Sequence, residues 1–428
     1  MRHYLVHIGR GMQVVAGNLG NFAFVLIRNK VLAIFLGPMG VGWIALVNNL
    51  VEVSAVLSGA GVSDALGREL ARKRQTRSHK DLISTGLGMF IVSLLVVLPI
   101  TEWLFLRLAA PSGLMMVAAI GFGIAASAGG IWRFVSGIYL GLGRSRVVFH
   151  VLIWGACFNM AVSIALLSLG LRSYLAFVLL SYVPIALFGC AGLLRQAHAY
   201  FSIRSVWRMP AWRPMLMIVL PVLLGQPLEA GIVLLLRSAT ATRLGDVALG
   251  QIQPGLQLVI LASSLFNAFA GITTSRWDQS VEPAFSRKAL ALLGAAVALP
   301  VIGGIFVSLA GPLWGLMIRL LFTRAFLPGV TAVPWFLAGE ALHIGALLLF
   351  STFMSRGMGS ITLLPRLAGL VTMFAALRSG MDASLLQVGQ AYTLTFLSYF
   401  LVTVVVWCAV QANLWRRARR GPPAVIRL

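Results

Sequence analysis

Residues 36–72 read LGPMGVGWIALVNNLVEVSAVLSGAGVSDALGRELAR. A Gly-Pro turn opens the stretch, an apolar run fills 41–62, and a Gly-rich exit leads into a basic amphipathic segment. The ~30 Å hydrocarbon core of a bilayer takes ~20 helical residues at 1.5 Å each, so 41–62 has the length of one crossing. Working outward, apolar runs of similar length fall at 12–36, 82–106, 114–142, 147–169, 174–194, 215–236, 248–272, 289–318, 329–355, 360–377 and 384–412. With 41–62 they make twelve candidate spans. The longest polar stretches, 63–81 and 195–214, leave no room for a soluble domain.

Composition agrees. Of 428 residues, 59% are hydrophobic and 11% charged, whereas soluble domains run at ~45–50% apolar and ~25% charged. A soluble enzyme, a disordered chain and a nucleic-acid-binding domain are excluded despite a formal charge of +23. The expected fold is an all-α polytopic membrane protein. Cys157, Cys190 and Cys408 are odd in number and lie in apolar runs, which excludes a disulfide framework or CxxC metal site and leaves packing as their role. The N-terminal MRHYLVHIGRGMQVV lacks a short apolar core with a small-residue cleavage site, so the first segment reads as a retained span.

Basic residues set orientation in short loops. With the N-terminus in the cytoplasm, 23 of the 34 basic residues fall on the cytoplasmic side. Seven fall opposite: Arg107, Arg172, Arg237, Arg243, Arg319, Arg324 and Arg378. Arg28, Lys30, Arg133 and Arg366 remain inside spans. An even number of spans places both termini inside. The chain also echoes itself: Leu36-Gly37 followed by Gly42 recurs as Leu244-Gly245 followed by Gly250, at an offset of 208 residues. Six spans on either side of a polar segment, opened alike, predict two homologous bundles. The expected units are an N-terminal lobe over 1–199, a basic cytoplasmic linker over 200–214, a C-terminal lobe over 215–413 and a basic cytoplasmic tail over 414–428.

The 36–72 stretch resembles the second-helix signature of bacterial oligosaccharide flippases: LGPxGxG, an apolar helix, a GAG exit and a basic amphipathic loop. Three more stretches look similar: ALGQIQPGLQLVILASSLFNAFAGITTSRW at 248–277, FLPGVTAVPWFLAGEALHIG at 326–345 and VGQAYTLTFLSYFLVTVVVW at 388–407. The likeness, closest to the common-antigen (lipid III) type, runs in order over most of the chain. It implies the polysaccharide-transporter branch of the MATE/MOP superfamily, with two six-helix lobes around a central cavity. It further implies movement of undecaprenyl-pyrophosphate-linked oligosaccharide across a bacterial inner membrane, with membrane lipids, a polysaccharide polymerase and chain-length proteins as partners, and no cofactor. Lys30, Gly37, Pro38, Gly42 and Arg237 match the family motif positions, whereas Arg133 and Arg366 depart from it.

The charges inside spans carry the chemistry, because each costs roughly 2.5–3.5 kcal/mol at a helix centre on insertion scales. Arg28 and Lys30 are two residues apart and point to different sides of one helix. Lys30 is close enough to Gly37 to snorkel to the interface. Glu52, across the 37–40 turn, is the expected partner of Arg28, either as a fixed ion pair or as one that opens when a substrate phosphate competes. Arg133 and Arg366 extend an arginine ladder for an anionic headgroup, since a guanidinium fork takes two phosphate oxygens at once. A structural pair, snorkelling and an arginine-rich composition are the bland alternatives. Asn48 and Asn49, one turn from Glu52, are the best lumen candidates among Asn18, Asn21, Asn48, Asn49, Asn159 and Asn267; the rest read as helix-packing amides.

Glu340 and His343 sit three apart on one helix face. ExxH can ligate a metal, but no second His or Cys cluster accompanies it, so packing or a proton-responsive gate remains. Glu229 lies beside Gln226 and Pro227, and Pro221 and Pro227 make that helix a candidate hinge. Glu52, Glu229, Glu340 and His343 are thus the gating or ion-coupling candidates. The P-loop, HExxH and GxSxG patterns are absent. The rival readings are a MATE-type antiporter for cationic drugs, a membrane-embedded glycan enzyme and a non-transporting scaffold.

Overall fold

The computed structural model describes residues 2–72, 79–109, 115–171, 173–195, 201–202, 206, 212–277, 285–355 and 358–419. Nearly all of these residues are helical, with no strand among them. Most of the basic linker and the end of the tail lie outside them, as do Arg356 and the side chains of Asn18 and Asn267.

In the first half α1 spans Arg2–Ala55, a π-helical turn covers Val56–Ala60 and α2 covers Gly61–Arg72. Four more helices follow: α3 (His79–Leu108), α4 (Met115–Gly141), α5 (Ser145–Ser168) and α6 (Tyr174–Leu194). The second half holds α7 (Trp212–Leu244), α8 (Asp246–Gln251), α9 (Gln253–Trp277), α10 (Arg287–Leu309), α11 (Gly311–Leu321), α12 (Val333–Ser355), α13 (Leu363–Arg378) and α14 (Leu385–Arg419). Short 3-10 turns at Arg324–Ala332 and Gly359–Thr362 lead into α12 and α13.

Among the described residues, 11 helices are long and apolar enough to cross a membrane. The first of these runs Leu19–Gly59, 41 residues, or ~60 Å at 1.5 Å per residue, which is two crossings of a ~30 Å core. Gly37 divides it with φ 64° and ψ −173°. Gly245, its echo, has φ 87° and ψ 169°. Both lie in the backbone region that is essentially reserved for glycine, so the sequence repeat is a repeat of backbone shape. The candidate span 289–318 ends earlier than its apolar run: Ala310 and Pro312 close α10 and start the short α11.

Helices of each half pack mainly on one another: α1 on α5 and α4, α4 on α6, α12 on α14 and α10. Between the halves, α1 packs on α8, α9 and α7, and α2 packs on α7. Leu95, Ile100, Met116, Ile302, Leu309 and Val405 are outward and exposed, while Arg28, Asn159, Arg237, Gln253, Glu340 and His343 are buried. An apolar exterior over a polar interior suits a multi-pass membrane protein, whose solvent at mid-depth is hydrocarbon. At the join, a Cβ on Gly42 would lie 2.7 Å from the Gly250 nitrogen, and one on Gly250 would strike the Pro38 carbonyl. The two LGxxxxG segments therefore pack directly against each other.

Candidate functional site

The second part of α1 carries a polar stripe. Ala45, Asn48, Asn49 and Glu52 are spaced i, i+3, i+4, i+7 and partly exposed, while Leu46, Val47, Leu50 and Val51 between them are buried. One face of a helix otherwise enclosed by protein is thus left open. Glu52 pairs with Arg133 of α4, the two side chains being 42% and 30% exposed. The side-chain carbonyl oxygens of Asn48 and Asn49 are themselves enclosed and find no hydrogen-bond partner among the described residues. Tyr182 of α6 donates its hydroxyl to the Asn48 main-chain oxygen at 3.1 Å.

The expected Arg28–Glu52 pair does not form. Arg28 is buried and turns to α6, donating to Ser181 Oγ at 2.7 Å and to Asn29 Oδ1 at 3.1 Å. Depth along the two spans matches, but helix rotation gives Glu52 to α4. Lys30 leaves the site as well, its Nζ donating across the halves to the Leu320 carbonyl at 2.6 Å.

Arg237, placed in a loop by the end of its apolar run, is inside α7 and buried. It donates to the Ala45 carbonyl at 2.8 Å and to Gln253 Oε1 at 3.2 Å, tying α7 and α9 to the polar stripe of α1. Its Nε has no partner among the described residues. Its match to a family motif position was the one signal that singled it out.

The second half holds a separate cluster. Glu340 and His343 face each other as expected, Nδ1 to Oε1 at 3.2 Å. The other ring nitrogen, Nε2, faces Glu229 Oε1 at 3.1 Å, a charge contact without hydrogen-bond alignment. Arg366 binds the other Glu229 oxygen through Nε at 3.3 Å and Thr362 Oγ1 at 3.0 Å, and lies over the Phe350 ring. Arg366 therefore does not continue a ladder above Arg133; it neutralises Glu229 in the other half. Tyr392 donates to Glu340 Oε2 at 3.1 Å and Tyr399 to Glu229 Oε2 at 3.4 Å. Ser263 donates to Glu340 Oε1. Because His343 stands between the carboxylates on opposite ring nitrogens, their oxygens do not converge as metal ligands would. Sequence reasoning missed Tyr182, Ser263, Tyr392 and Tyr399, whose spacing on their own helices carries no sign of the partner.

No protein-family model matches the chain, and no curated protein matches it. Solved structures do. An inward-facing multidrug resistance MATE family transporter of the MOP superfamily aligns with TM-score 0.70 at 16% identity, over 98% of this chain and 100% of that one. An outward-facing structure of such a transporter aligns at 0.64 and 16%, over 97% and 96%. A MOP superfamily transporter from Pyrococcus furiosus, described by the reverse polarity of its binding pocket, aligns at 0.67 and 17%, over 96% of each chain. The fold is that of the MATE/MOP polytopic transporters.

Proposed function

We propose that this protein is a flippase that moves undecaprenyl-pyrophosphate-linked oligosaccharide, such as an O-antigen, common-antigen or exopolysaccharide repeat unit. The movement runs from the cytoplasmic to the periplasmic leaflet by alternating access. The supporting observation is the site in the first half: Arg133 pairs with Glu52 on the partly open face of α1, and Arg237 is tied to the Ala45 carbonyl of the same face. An ion pair as exposed as Arg133–Glu52 inside a span is too costly against acyl chains, so it opens on a polar lumen. The guanidinium of Arg133 can exchange Glu52 for pyrophosphate, gaining two oxygens in one plane. Asn48 and Asn49, partly exposed on the same face as Glu52, offer amide groups to sugar hydroxyls. The polyprenyl tail stays in lipid between the halves.

In this reading lobes 1–199 and 215–413 rock about the α1–α8 join, with the 200–214 linker and the 414–428 tail cytoplasmic. With Arg237 inside α7, the 23-to-6 distribution of basic residues supports an inner-membrane orientation with both termini inside. Membrane lipids surround the lobes, and a polysaccharide polymerase and chain-length proteins receive the product.

One observation favours the rival reading, a MATE-type antiporter for cations. Glu229 is 28% exposed, a carboxylate that a cationic substrate can approach, and the solved neighbours include multidrug transporters. Binding to the purified protein separates the two. Inorganic pyrophosphate is expected to raise thermal stability in a saturable way, and Arg133→Gln to weaken that effect at least ~10-fold, as loss of a charge-assisted pair worth ~1.5–3 kcal/mol requires. Stabilisation by tetraphenylphosphonium that depends on Glu229, with none by pyrophosphate, would establish the antiporter.

A further inference from the structure

One helix of the first half is continuous where its repeat in the second half is broken. The offset of 208 residues that relates Gly37 to Gly245 also carries His79–Leu108, the whole of α3, onto 287–316. α10 begins at Arg287, as the repeat requires, but ends at Leu309. Gly311 and Pro312 then open a new helix, α11 (Gly311–Leu321), since proline suits a helix start and not a helix interior.

The freed turns reach the first half. Lys30 of α1 donates its ammonium to the Leu320 main-chain oxygen at 2.6 Å, its one hydrogen bond among the described residues. Leu320 is in the last turn of α11, where carbonyls have no partner within their own helix. Lys30 therefore caps a helix of the other half. The chain around this contact is cationic. Arg319 adjoins Leu320, Arg324 opens the next turn, and both are exposed. No Asp or Glu precedes Glu52, and none falls between residues 283 and 339. α11 is also apolar on two sides. Trp314 and Ile318 are buried, while Leu313, Leu316 and Leu320, spaced i, i+3 and i+7, are exposed.

We propose that Lys30, Arg319 and the leucine strip of α11 form an exit site for the polyprenyl-pyrophosphate end of the cargo, and that the arriving phosphate frees α11 from α1. The site rests on the flippase reading above, and lies at the end of the spans opposite the basic loops. Lys30 now holds a neutral acceptor. A phosphate oxygen is charged and makes a bond roughly twice as strong, so the ammonium exchanges the Leu320 carbonyl for phosphate. Arg319, next in sequence to that carbonyl, adds a planar fork of donors for the second phosphoryl group. The isoprenoid tail is apolar along its length and lies on Leu313, Leu316 and Leu320 in the surrounding hydrocarbon. Once Lys30 lets go, α11 keeps its hold on α10 through the Trp314 Nε1 bond to the Val307 carbonyl at 3.3 Å, and moves with the second half. Cargo at the exit thus removes a tie between the halves that the empty protein keeps.

The experiment uses farnesyl pyrophosphate, a short polyprenyl pyrophosphate, and the full chain in phosphatidylcholine nanodiscs. Arg133→Gln removes the central anion site from the comparison. In that background, saturable binding is expected to persist and to weaken about 10-fold when Lys30→Gln is added, as loss of a hydrogen bond from a charged group requires. Lys30→Arg, which keeps the charge, should retain it. Release of α11 is read at Ile318→Cys, a buried position, in a chain whose Cys157, Cys190 and Cys408 are serines. Its modification by maleimide should speed up about 10-fold with farnesyl pyrophosphate, and should be as fast in Lys30→Gln without ligand. Hydrogen exchange over residues 311–321 gives the same reading in a chain with no change in α11. Farnesol, which lacks the phosphates, should do neither. The proposal is overturned if Lys30→Gln leaves either the binding or the release unchanged. It is also overturned if farnesol or inorganic pyrophosphate releases α11 as well as farnesyl pyrophosphate does, or if phosphatidylglycerol in the nanodisc releases it without ligand. Binding that vanishes in Arg133→Gln alone would likewise overturn the exit site, while leaving the central site and the flippase reading intact.

Discussion

Replacing Gly250 by alanine puts a methyl group into a backbone-to-backbone contact between the two halves. The new Cβ would lie 2.7 Å from Pro38 Cα and closer still to the Pro38 carbonyl. Carbon atoms rest at about 3.5–4.0 Å, so α1 and α8 must part by about 1 Å. Neither partner is a flexible side-chain end, so overpacking of this kind costs roughly 1–3 kcal/mol. Alanine gains up to ~1 kcal/mol over glycine within a helix, but it gains that whether the join is closed or open. The full steric cost therefore falls on the closed arrangement alone. At 1.4 kcal/mol per decade this is about a 5- to 150-fold shift in population. The readout is Asn49→Cys, in a chain whose Cys157, Cys190 and Cys408 are serines, modified by a membrane-impermeant maleimide from the side opposite the basic loops. Gly250→Ala should speed modification by that factor. Gly304→Ala, where a Cβ meets nothing within 4 Å, should not. Equal rates in Gly250→Ala and its parent would refute the idea that this contact closes the molecule.

Two further outcomes follow from the same geometry. Gly37→Ala should destabilise the protein by about 1–3 kcal/mol in detergent, because φ 64° with ψ −173° is closed to a residue with a Cβ; an unchanged melting temperature would show that the bend is not needed. Arg237→Met should cost about 1–3 kcal/mol by leaving the Ala45 carbonyl and Gln253 without their donor, and should raise maleimide access at position 49 as Gly250→Ala does; stability equal to the wild type would remove Arg237 as a tie between the halves.

Much of the architecture is legible in the sequence because membrane spans are a one-dimensional signal. Length and apolarity alone place most helices, since hydrocarbon admits few alternatives. The LGxxxxG echo was legible for a different reason: the φ and ψ at Gly37 and Gly245 exclude other residues, so the repeat survives as letters. Glu340 and His343 were legible because their pairing is local to one helix.

What failed was the one pairing expected between spans and the arginine ladder. Glu52 took Arg133 rather than Arg28, and Arg366 took Glu229 rather than a place beside Arg133. Span depth can be counted along the chain, but the angle at which each helix presents its residues is set by packing. Arg237 was misplaced because apolarity ends near Leu236 while α7 continues to Leu244; a buried arginine looks in sequence like the start of a loop.

The most direct measurement is leaflet transfer in proteoliposomes that hold the purified chain and an undecaprenyl-pyrophosphate-linked oligosaccharide. Outward exposure of the glycan can be read by an enzyme added outside. Transfer that needs the protein, is competed by inorganic pyrophosphate and fails in Arg133→Gln is the expected result. No transfer, with the same vesicles exporting a cationic dye in a manner lost in Glu229→Gln, would contradict it.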